Sequence, residues 1–397
     1  MSVITKEALR VRLDNLLSET VDSVRQREQT TFDGILKGGR EVLIFGAGNF
    51  GRKALRALQS HGYEVQGFLD NNPALHGKEV EGIPVISIKE GWKRHGDSVG
   101  VVVAIYFGEA KDTMGERIAP LKQAGFSRVA HFGHLAWKYP EGLLPHYSLD
   151  LPSNLIPKKT RIIEGFSLFH DLTSLRHFVD HVEWRLTLDF DLLPRPVSQT
   201  IYFHEDLITE NPEEFLIDGG AFTGDTLKIF LQGFGRKGFY KVLCFEPDPR
   251  NFQTLRETAA SLVIEKGHIE VYPFALGDAV TEIRVETSGG PSSRVGFGET
   301  NISCRMIDEF STEEFSPTFI KLDIEGYELP ALRGAIRTIR EKAPVLAVSA
   351  YHKQDDLWEL PLEIHAMQPA YEFRLAPHVA DGWDLVLYSS TRERFKS

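Results

Sequence analysis

A strand that ends on an acid and opens directly into a glycine turn leaves a chain few folds to choose from. Residues 215–225, Phe-Leu-Ile-Asp-Gly-Gly-Ala-Phe-Thr-Gly-Asp, have that form. The apolar run closes on Asp218, the glycines Gly219, Gly220 and Gly224 follow, and a helical pattern starts near Asp225. A second run, Val242-Leu-Cys-Phe, closes on Glu246, 28 positions after Asp218. Short apolar strands separated by helical stretches predict a parallel sheet covered on both faces.

The same grammar appears earlier in the chain. Val42-Leu-Ile-Phe leads into Gly46-Ala-Gly-Asn-Phe-Gly51, then a helix to about His61 and a strand ending on Asp70. Further strands are expected at 84–87, 99–105 and 128–132, and, in the second half, at 269–272, 319–323 and 345–350. The last two, 371–375 and 383–388, have only a short turn region between them, which predicts a terminal hairpin. The expected fold class is therefore α/β with two doubly wound sheets. The expected division is an N-terminal helix (1–37), a Rossmann-like nucleotide-binding domain (38–139), a linker and helical bridge (140–210) and a second α/β domain (211–397).

Composition narrows the function. At 397 residues, two domains are the natural expectation, and 42% hydrophobic residues with 26 Phe can fill both cores. A formal charge of −11 argues against a nucleic-acid-coating surface. Cys244 and Cys304 are the two cysteines, which is too few for a disulfide framework or a zinc site. The first 28 residues show no signal-peptide core, and no apolar run approaches a membrane span. A cytoplasmic protein is expected.

In the second domain the glycines permit close backbone approach to a ligand. The helix that follows offers unpaired N–H groups to a carboxylate. Asp218 is placed to receive an ammonium group, and Glu246, at a strand end, to accept both hydroxyls of a ribose. A nucleoside with an amino-acid tail satisfies all of these, so the expected cofactor is S-adenosylmethionine. A phosphate-binding turn is the alternative, but acids at Asp218 and Asp225 would repel it. Phe222 belongs to the same turn. Asp278, in Phe274-Ala-Leu-Gly-Asp, is a candidate for the adenine amino group, or a solvated turn residue.

Lys321, Asp323 and Glu325 alternate along a strand end and would need a ligand or each other, since unpaired burial is costly. A Lys321–acid ion pair is the plainer alternative. Asp323, Glu325 and His352 are the candidate bases for activating a hydroxyl. His352 could instead cap or face solvent. No third ligand accompanies Asp323 and Glu325, so no metal is expected.

Taken together, Ile217-Asp-Gly-Gly-Ala-Phe-Thr-Gly-Asp-Thr, Cys244-Phe-Glu-Pro-Asp-Pro, Ala275-Leu-Gly-Asp, Lys321-Leu-Asp-Ile-Glu-Gly-Tyr-Glu-Leu and Ser349-Ala-Tyr-His-Lys resemble the FkbM-type methyltransferases. Asp356-Leu-Trp-Glu-Leu-Pro continues the pattern. The resemblance spans residues 200 to 390 in the right order. It implies a class I methyltransferase sheet, dependence on S-adenosylmethionine and transfer to oxygen, often on a sugar. By position it implies that Asp218, Gly220 and Glu246 bind cofactor and that Asp323 sits near the reacting end. The acceptor is then a small molecule or glycan.

In the first domain Gly46, Gly48, Gly51 and Asp70 form a dinucleotide fingerprint in its proper strand–helix context. The following Asp70-Asn-Asn-Pro-Ala-Leu-His-Gly-Lys is similar to nucleotide- or sugar-nucleotide-binding domains found beside sugar-modifying enzymes. A nucleotide or nucleotide-sugar is the expected ligand. Active NAD(P) redox chemistry, or a non-catalytic scaffold, are the alternatives. The N-terminal region, 5–37, reads as one amphipathic helix that packs on the following domain or on a second subunit of a homo-oligomer.

Overall fold

Val42-Leu-Ile-Phe and Val101-Val-Val are buried along their whole length, so they form neighbouring central strands with both faces covered. In the computed structural model, residues 4–106, 112–196, 200–264, 266–285 and 300–396 are described. They divide into two compact units: 1–160 with 179–195 and 379–383, and 161–178 with 196–378 and 384–397. Residues 140–210 are thus shared between the units.

The first unit holds β1 (Glu41–Phe45), β2 (Glu64–Leu69), β3 (Glu79–Val80), β4 (Ile83–Ile86), β5 (Gly100–Val103) and β6 (Val129–His131). Their order is β3-β4-β2-β1-β5-β6. All neighbours are parallel except β3 with β4. The chain winds outward from β1 to β4, then returns to add β5 on the other side, so the winding reverses between β1 and β5.

The N-terminal region is two helices, Lys6–Leu16 and Val21–Leu36, not the single helix expected. Leu9, Leu13, Val24, Phe32 and Leu36 keep one buried face, which is why the periodicity runs through the break. Thr20 causes the break: its hydroxyl accepts from the Ser23 amide and caps the second helix. Such caps contribute about 1 kcal/mol.

The second unit contains β7 (Phe215–Gly219), β8 (Lys241–Phe245), β9 (His268–Tyr272), β10 (Ala275–Leu276), β11 (Thr281–Val285), β12 (Thr300–Arg305), β13 (Phe319–Leu322), β14 (Val345–Ser349), β15 (Glu372–Pro377) and β16 (Leu385–Ser390). The main sheet has seven strands in the order β15-β16-β14-β13-β7-β8-β9. It is parallel except for β16, which runs antiparallel to β14 and β15. The closing hairpin therefore inserts its second strand beside β14. Strands β10, β12 and β11 form a small separate sheet that the sequence pattern does not announce. Leu216, Val242, Phe319, Val345 and Val386 stack on one core beneath the main sheet. Winding reverses between β7 and β13, and ligands of open α/β sheets bind outside the strand ends at such a reversal.

Cys244 and Cys304 are free and buried. Among the described residues, no helix is long and apolar enough to cross a membrane.

Candidate functional site

The turn after β7 owes its shape to Gly220. Its φ is +72°, and a Cβ there would lie 1.8 Å from the Asp323 carbonyl oxygen. A residue with a side chain cannot occupy that position unless the two strand ends separate. Gly220 and Ala221 both donate their amides to the Phe245 carbonyl, at 3.0 Å. The turn is thereby tied to both neighbouring strand ends.

Glu246 closes this arrangement from β8. One carboxylate oxygen accepts from the Phe222 amide at 2.9 Å, the other from the Asp248 amide at 2.9 Å. Phe222 itself is left-handed, with φ 46°. Asp248 in turn caps the helix Pro249–Ser261, accepting from Arg250 and Asn251. Each Glu246 oxygen keeps a second acceptor direction for a ligand hydroxyl. Burial pushes the Glu246 carboxyl up to about 7, against the pull of its two amide donors.

Asp218 corrects the expectation placed on it. It is fully buried, and Lys321 Nζ lies 3.0 Å from its Oδ1. The same ammonium donates to the carbonyls of Gly219 (3.0 Å) and Gly220 (2.7 Å). Burial raises the Asp218 carboxyl, and Lys321 counters it. The plainer alternative, a Lys321–acid ion pair, is the observed one: Asp218 and Lys321 are a buried pair that braces the turn from below. Asp218 is thus already matched to a cation within the fold.

Lys321, Asp323 and Glu325 do not continue along one strand face. β13 ends at Leu322, and Glu325 takes a left-handed conformation with φ 55°. The chain turns because Glu328 Oε1 accepts from the amides of Ile324 (2.9 Å) and Gly326 (3.4 Å). Asp323 is left projecting at the strand end. Its Oδ2 accepts from the Tyr202 hydroxyl at 2.8 Å, and its Oδ1 from the Tyr351 hydroxyl at 3.4 Å. Burial would raise the Asp323 carboxyl, but His352, Lys321 and Tyr202 outweigh it and hold it below its ordinary value.

His352 is buried, neither a cap nor a solvent-facing residue. Its Nδ1 lies 2.8 Å from Glu328 Oε1, and its Nε2 lies 3.3 Å from Asp323 Oδ1 and 3.9 Å from Glu325 Oε1. Burial alone would expel a proton, yet Glu328, Glu325 and Asp323 raise this imidazole to about 10. Both ring nitrogens thus face carboxylates, an arrangement that favours the protonated ring. Asp384, just before β16, is pushed up to about 7 by burial and by Asp323, against a hydrogen bond from Tyr351.

The remaining candidates scatter. Gly224 packs against Thr258, and Asp225 begins the helix Asp225–Gln232 and is exposed. Asp278 is exposed beyond β10, which fits the solvated-turn alternative. Sequence reasoning misses Tyr202, Glu328, Tyr351 and Asp384, and also Ser349, whose hydroxyl lies 3.4 Å from that of Tyr202. Glu328, Ser349 and Tyr351 lie inside the motifs that carry the family resemblance. Nothing local marks Tyr202 or Asp384.

In the first unit, Gly46, Gly48, Gly51 and Asp70 do converge. Asp70 Oδ2 accepts from the Ala47 amide at 2.9 Å, and its Oδ1 from the Asn72 amide at 2.8 Å. A Cβ on Gly51 would meet the Gly46 carbonyl at 1.9 Å, and one on Gly46 would meet Ile105 at 2.7 Å. Gly48 precedes the helix Asn49–Ser60 and has open space around it.

Comparison with known proteins bears on both units. Residues 219–375 match the family profile of the methyltransferase FkbM domain, and residues 41–109 match that of the PglD N-terminal domain. No curated protein matches. Among solved structures, methyltransferase FkbM from Methylobacillus flagellatus KT shares 23% identity over 96% of this chain and 98% of its own, with a TM-score of 0.75. That likeness establishes a common fold over nearly the whole length. SMU.1697c from Streptococcus mutans, solved with SAH, shares 13% identity over 50% of this chain and 98% of its own, at a TM-score of 0.31. A SAM-dependent methyltransferase from Aquifex aeolicus shares 12% over 45% of this chain and 82% of its own, at 0.24. Neither of these two superposes closely enough to add to the first. Residues 219–375 thus form a methyltransferase domain of FkbM type, and residues 41–109 a region of the PglD N-terminal type.

Proposed function

We propose that the second unit binds S-adenosylmethionine at the β7–β13 reversal and transfers its methyl group to a hydroxyl, on a carbohydrate or a related small metabolite. One observation carries this: Glu246, the Gly220 turn and Asp323 meet at the carboxyl ends of β8, β7 and β13, with the Asp323 backbone packed against Gly220. The residues suit the cofactor. Glu246 supplies acceptors for ribose hydroxyls, and the start of the Asp225–Gln232 helix supplies donors for a carboxylate. Asp278 and Phe222 remain candidates for the adenine side.

When bound, the cofactor supplies a methyl group on a positively charged sulfur. The acidic surroundings of Asp323 favour such a cation over an anion. A sugar hydroxyl is a poor nucleophile near neutral pH and gains from a positioned base. Asp323 fits, because its carboxylate retains 27% side-chain exposure and carries donors that orient it. Glu325 is the second candidate, with 20%.

For the first unit the favoured ligand is a nucleotide or nucleotide-sugar at the Gly46 turn, with Asp70 near its ribose. A cytoplasmic location accompanies this reading. Calorimetry with S-adenosylmethionine, NAD and UDP-sugars tests it. Tight binding of S-adenosylmethionine, and label passing from methyl-labelled cofactor to a glycan or sugar hydroxyl, supports it. Binding of NAD alone would favour an oxidoreductase, and binding of none a scaffold.

A further inference from the structure

The side chains behind Asp323 form a continuous chain of opposite charges. Glu328 (1% exposed) contacts His352 (1% exposed), which contacts Asp323 (27% exposed). Only the last of the three reaches the surface of the site. Glu328 Oε1 accepts from the amides of Ile324 and Gly326 and also faces the imidazole, so one carboxylate oxygen ties the ring to the loop after β13. Other groups crowd the same ring. Glu325 approaches at 3.9 Å from the loop. Asp356 lies on the helix Asp356–Met367 and feels both Glu328 and His352. Lys353 is held by the Gly326 carbonyl. Asp384, just before β16, is hydrogen-bonded to Tyr351 and acts on His352 through its charge. The cations near the ring, Lys353 and Lys321, are engaged by backbone carbonyls.

We propose that His352 is a positioning residue: an imidazolium held between Glu328 and Asp323 that orients the Asp323 carboxylate and keeps it ionised as the acceptor of the substrate's proton. This deepens the methyl-transfer reading and rests on it for the role of Asp323. In the step, the acceptor oxygen forms a bond to the methyl carbon while the carbon–sulfur bond breaks. That bond's electron pair goes to sulfur, leaving a neutral thioether. The hydroxyl proton passes to Asp323 Oδ and later to water. His352 neither gains nor loses a proton, since both its nitrogens remain donors throughout. The carboxylate–imidazolium pair also explains why two tyrosine hydroxyls converge on Asp323: they complete the donor set of an ionised group.

The test separates this inference from the methyltransferase reading. In the full chain with isotope-labelled histidine, the ring resonance lost in His352→Gln identifies His352. We expect it to keep imidazolium shifts beyond pH 8, and to titrate at least one pH unit lower in Glu328→Gln. A ring that is neutral at pH 7.5 overturns the proposal whatever the protein catalyses. His352→Gln should bind S-adenosylmethionine within about threefold of wild type by calorimetry. Its methyl transfer to a sugar acceptor should fall at least tenfold at pH 7, and the acid limb of its pH–rate profile should move to higher pH. An unmoved acid limb would reduce His352 to a structural residue and overturn the proposal. If His352→Gln fails to fold, Glu328→Gln carries the same pair of measurements. Failure of wild type to bind S-adenosylmethionine would instead strike the methyltransferase reading and leave the charge-state result standing.

Discussion

The two units solve one problem with the same device and then part company. In each, an acid at the end of the second strand accepts from an amide of the glycine turn after the first: Asp70 from Ala47, Glu246 from Phe222. Each turn is also backed by a glycine whose Cβ would strike a carbonyl at under 2 Å, Gly51 in the helix after the first and Gly220 within the second. One register position before the end of the first strand, however, the first unit pairs Ile44 with Val102, and the second pairs Asp218 with Lys321. The strand across the reversal then continues as Ala104-Ile105-Tyr106 in one unit and as Asp323, backed by His352, in the other. A shared fingerprint therefore certifies a ligand-shaped turn and nothing more. Chemistry enters through ionisable groups on the opposite strand, and among the described residues only the second unit places them there.

The buried pair is the sharpest difference, and breaking it should have the largest effect. Lys321→Met leaves Asp218 uncompensated in a fully buried position, so a loss of about 3–5 kcal/mol in chemical denaturation is expected. Adding Asp218→Leu should restore part of that loss. The rest persists because the carbonyls of Gly219 and Gly220 still lack their donor. The corresponding change in the first unit, Ile44→Val, removes one buried methylene and should cost about 0.5–1.5 kcal/mol. Equal losses would mean that the charged pair is no more than packing.

The acids at the second strands separate the units by ligand. Glu246→Ala should weaken S-adenosylmethionine binding by about 1.5–3 kcal/mol in calorimetry, the scale of hydrogen bonds to a charged group. Asp70→Ala should leave that affinity unchanged and act only on a ligand of the first unit. An unaltered affinity in a folded Glu246→Ala protein would show that its carboxylate serves the turn alone.

Protonation sets the units against each other. In the second, His352 is raised to about 10 from an ordinary 6.5, so the folded state holds that proton more tightly. Its contribution is complete below pH 6.5 and is lost as pH rises through 10. Glu246 and Asp384, each raised to about 7, act in the same direction below that value. In the first unit, burial lowers the stacked pair His131 and His134, the latter to about 4. Their contribution is present above pH 6.5 and lost as pH falls toward 4. Hydrogen exchange at pH 5, 7 and 9.5, corrected for intrinsic rates, should show the first unit loosening at the acid end and the second at the alkaline end, each by ~2 kcal/mol. Loosening of both units at the same end would contradict these assignments.

Much of this is legible in the sequence alone, and the illegible part has a physical pattern. Strands and their acid ends are readable because each is a short apolar run stopped by glycine or acid. Sheet order is not, since the insertion of β16 beside β14 depends on pairing between distant segments. The helix break at Thr20 is hidden because Leu17 and Val21 keep the apolar spacing across it. Asp218 misleads because an acid beside a glycine turn looks the same whether it faces a ligand or a lysine beneath the sheet. Only the register partner Lys321 distinguishes the two cases. The surroundings of Asp323 are assembled from positions 202, 328, 351, 352 and 384. No local spacing rule connects residues so far apart.

The smallest change in stability gives the cleanest question about the first unit. Gly51→Ala cannot be read for ligand binding, because its Cβ would collide with the Gly46 carbonyl and disturb the fold itself. Gly48 is different. Its φ is −77°, and a Cβ there would meet nothing within 4 Å. Folding alone therefore gives no reason for glycine at that position, and Gly48→Ala should change stability by no more than about 0.5 kcal/mol. A ligand gives one, since the middle glycine of such a turn lets a phosphate approach the backbone. Titration of wild type and Gly48→Ala with a UDP-sugar and with NAD decides the matter. Loss of binding in a variant that melts like wild type would establish the Gly46 turn as a working nucleotide site. Undiminished binding would move that ligand elsewhere and leave the first unit's fingerprint as a purely structural turn.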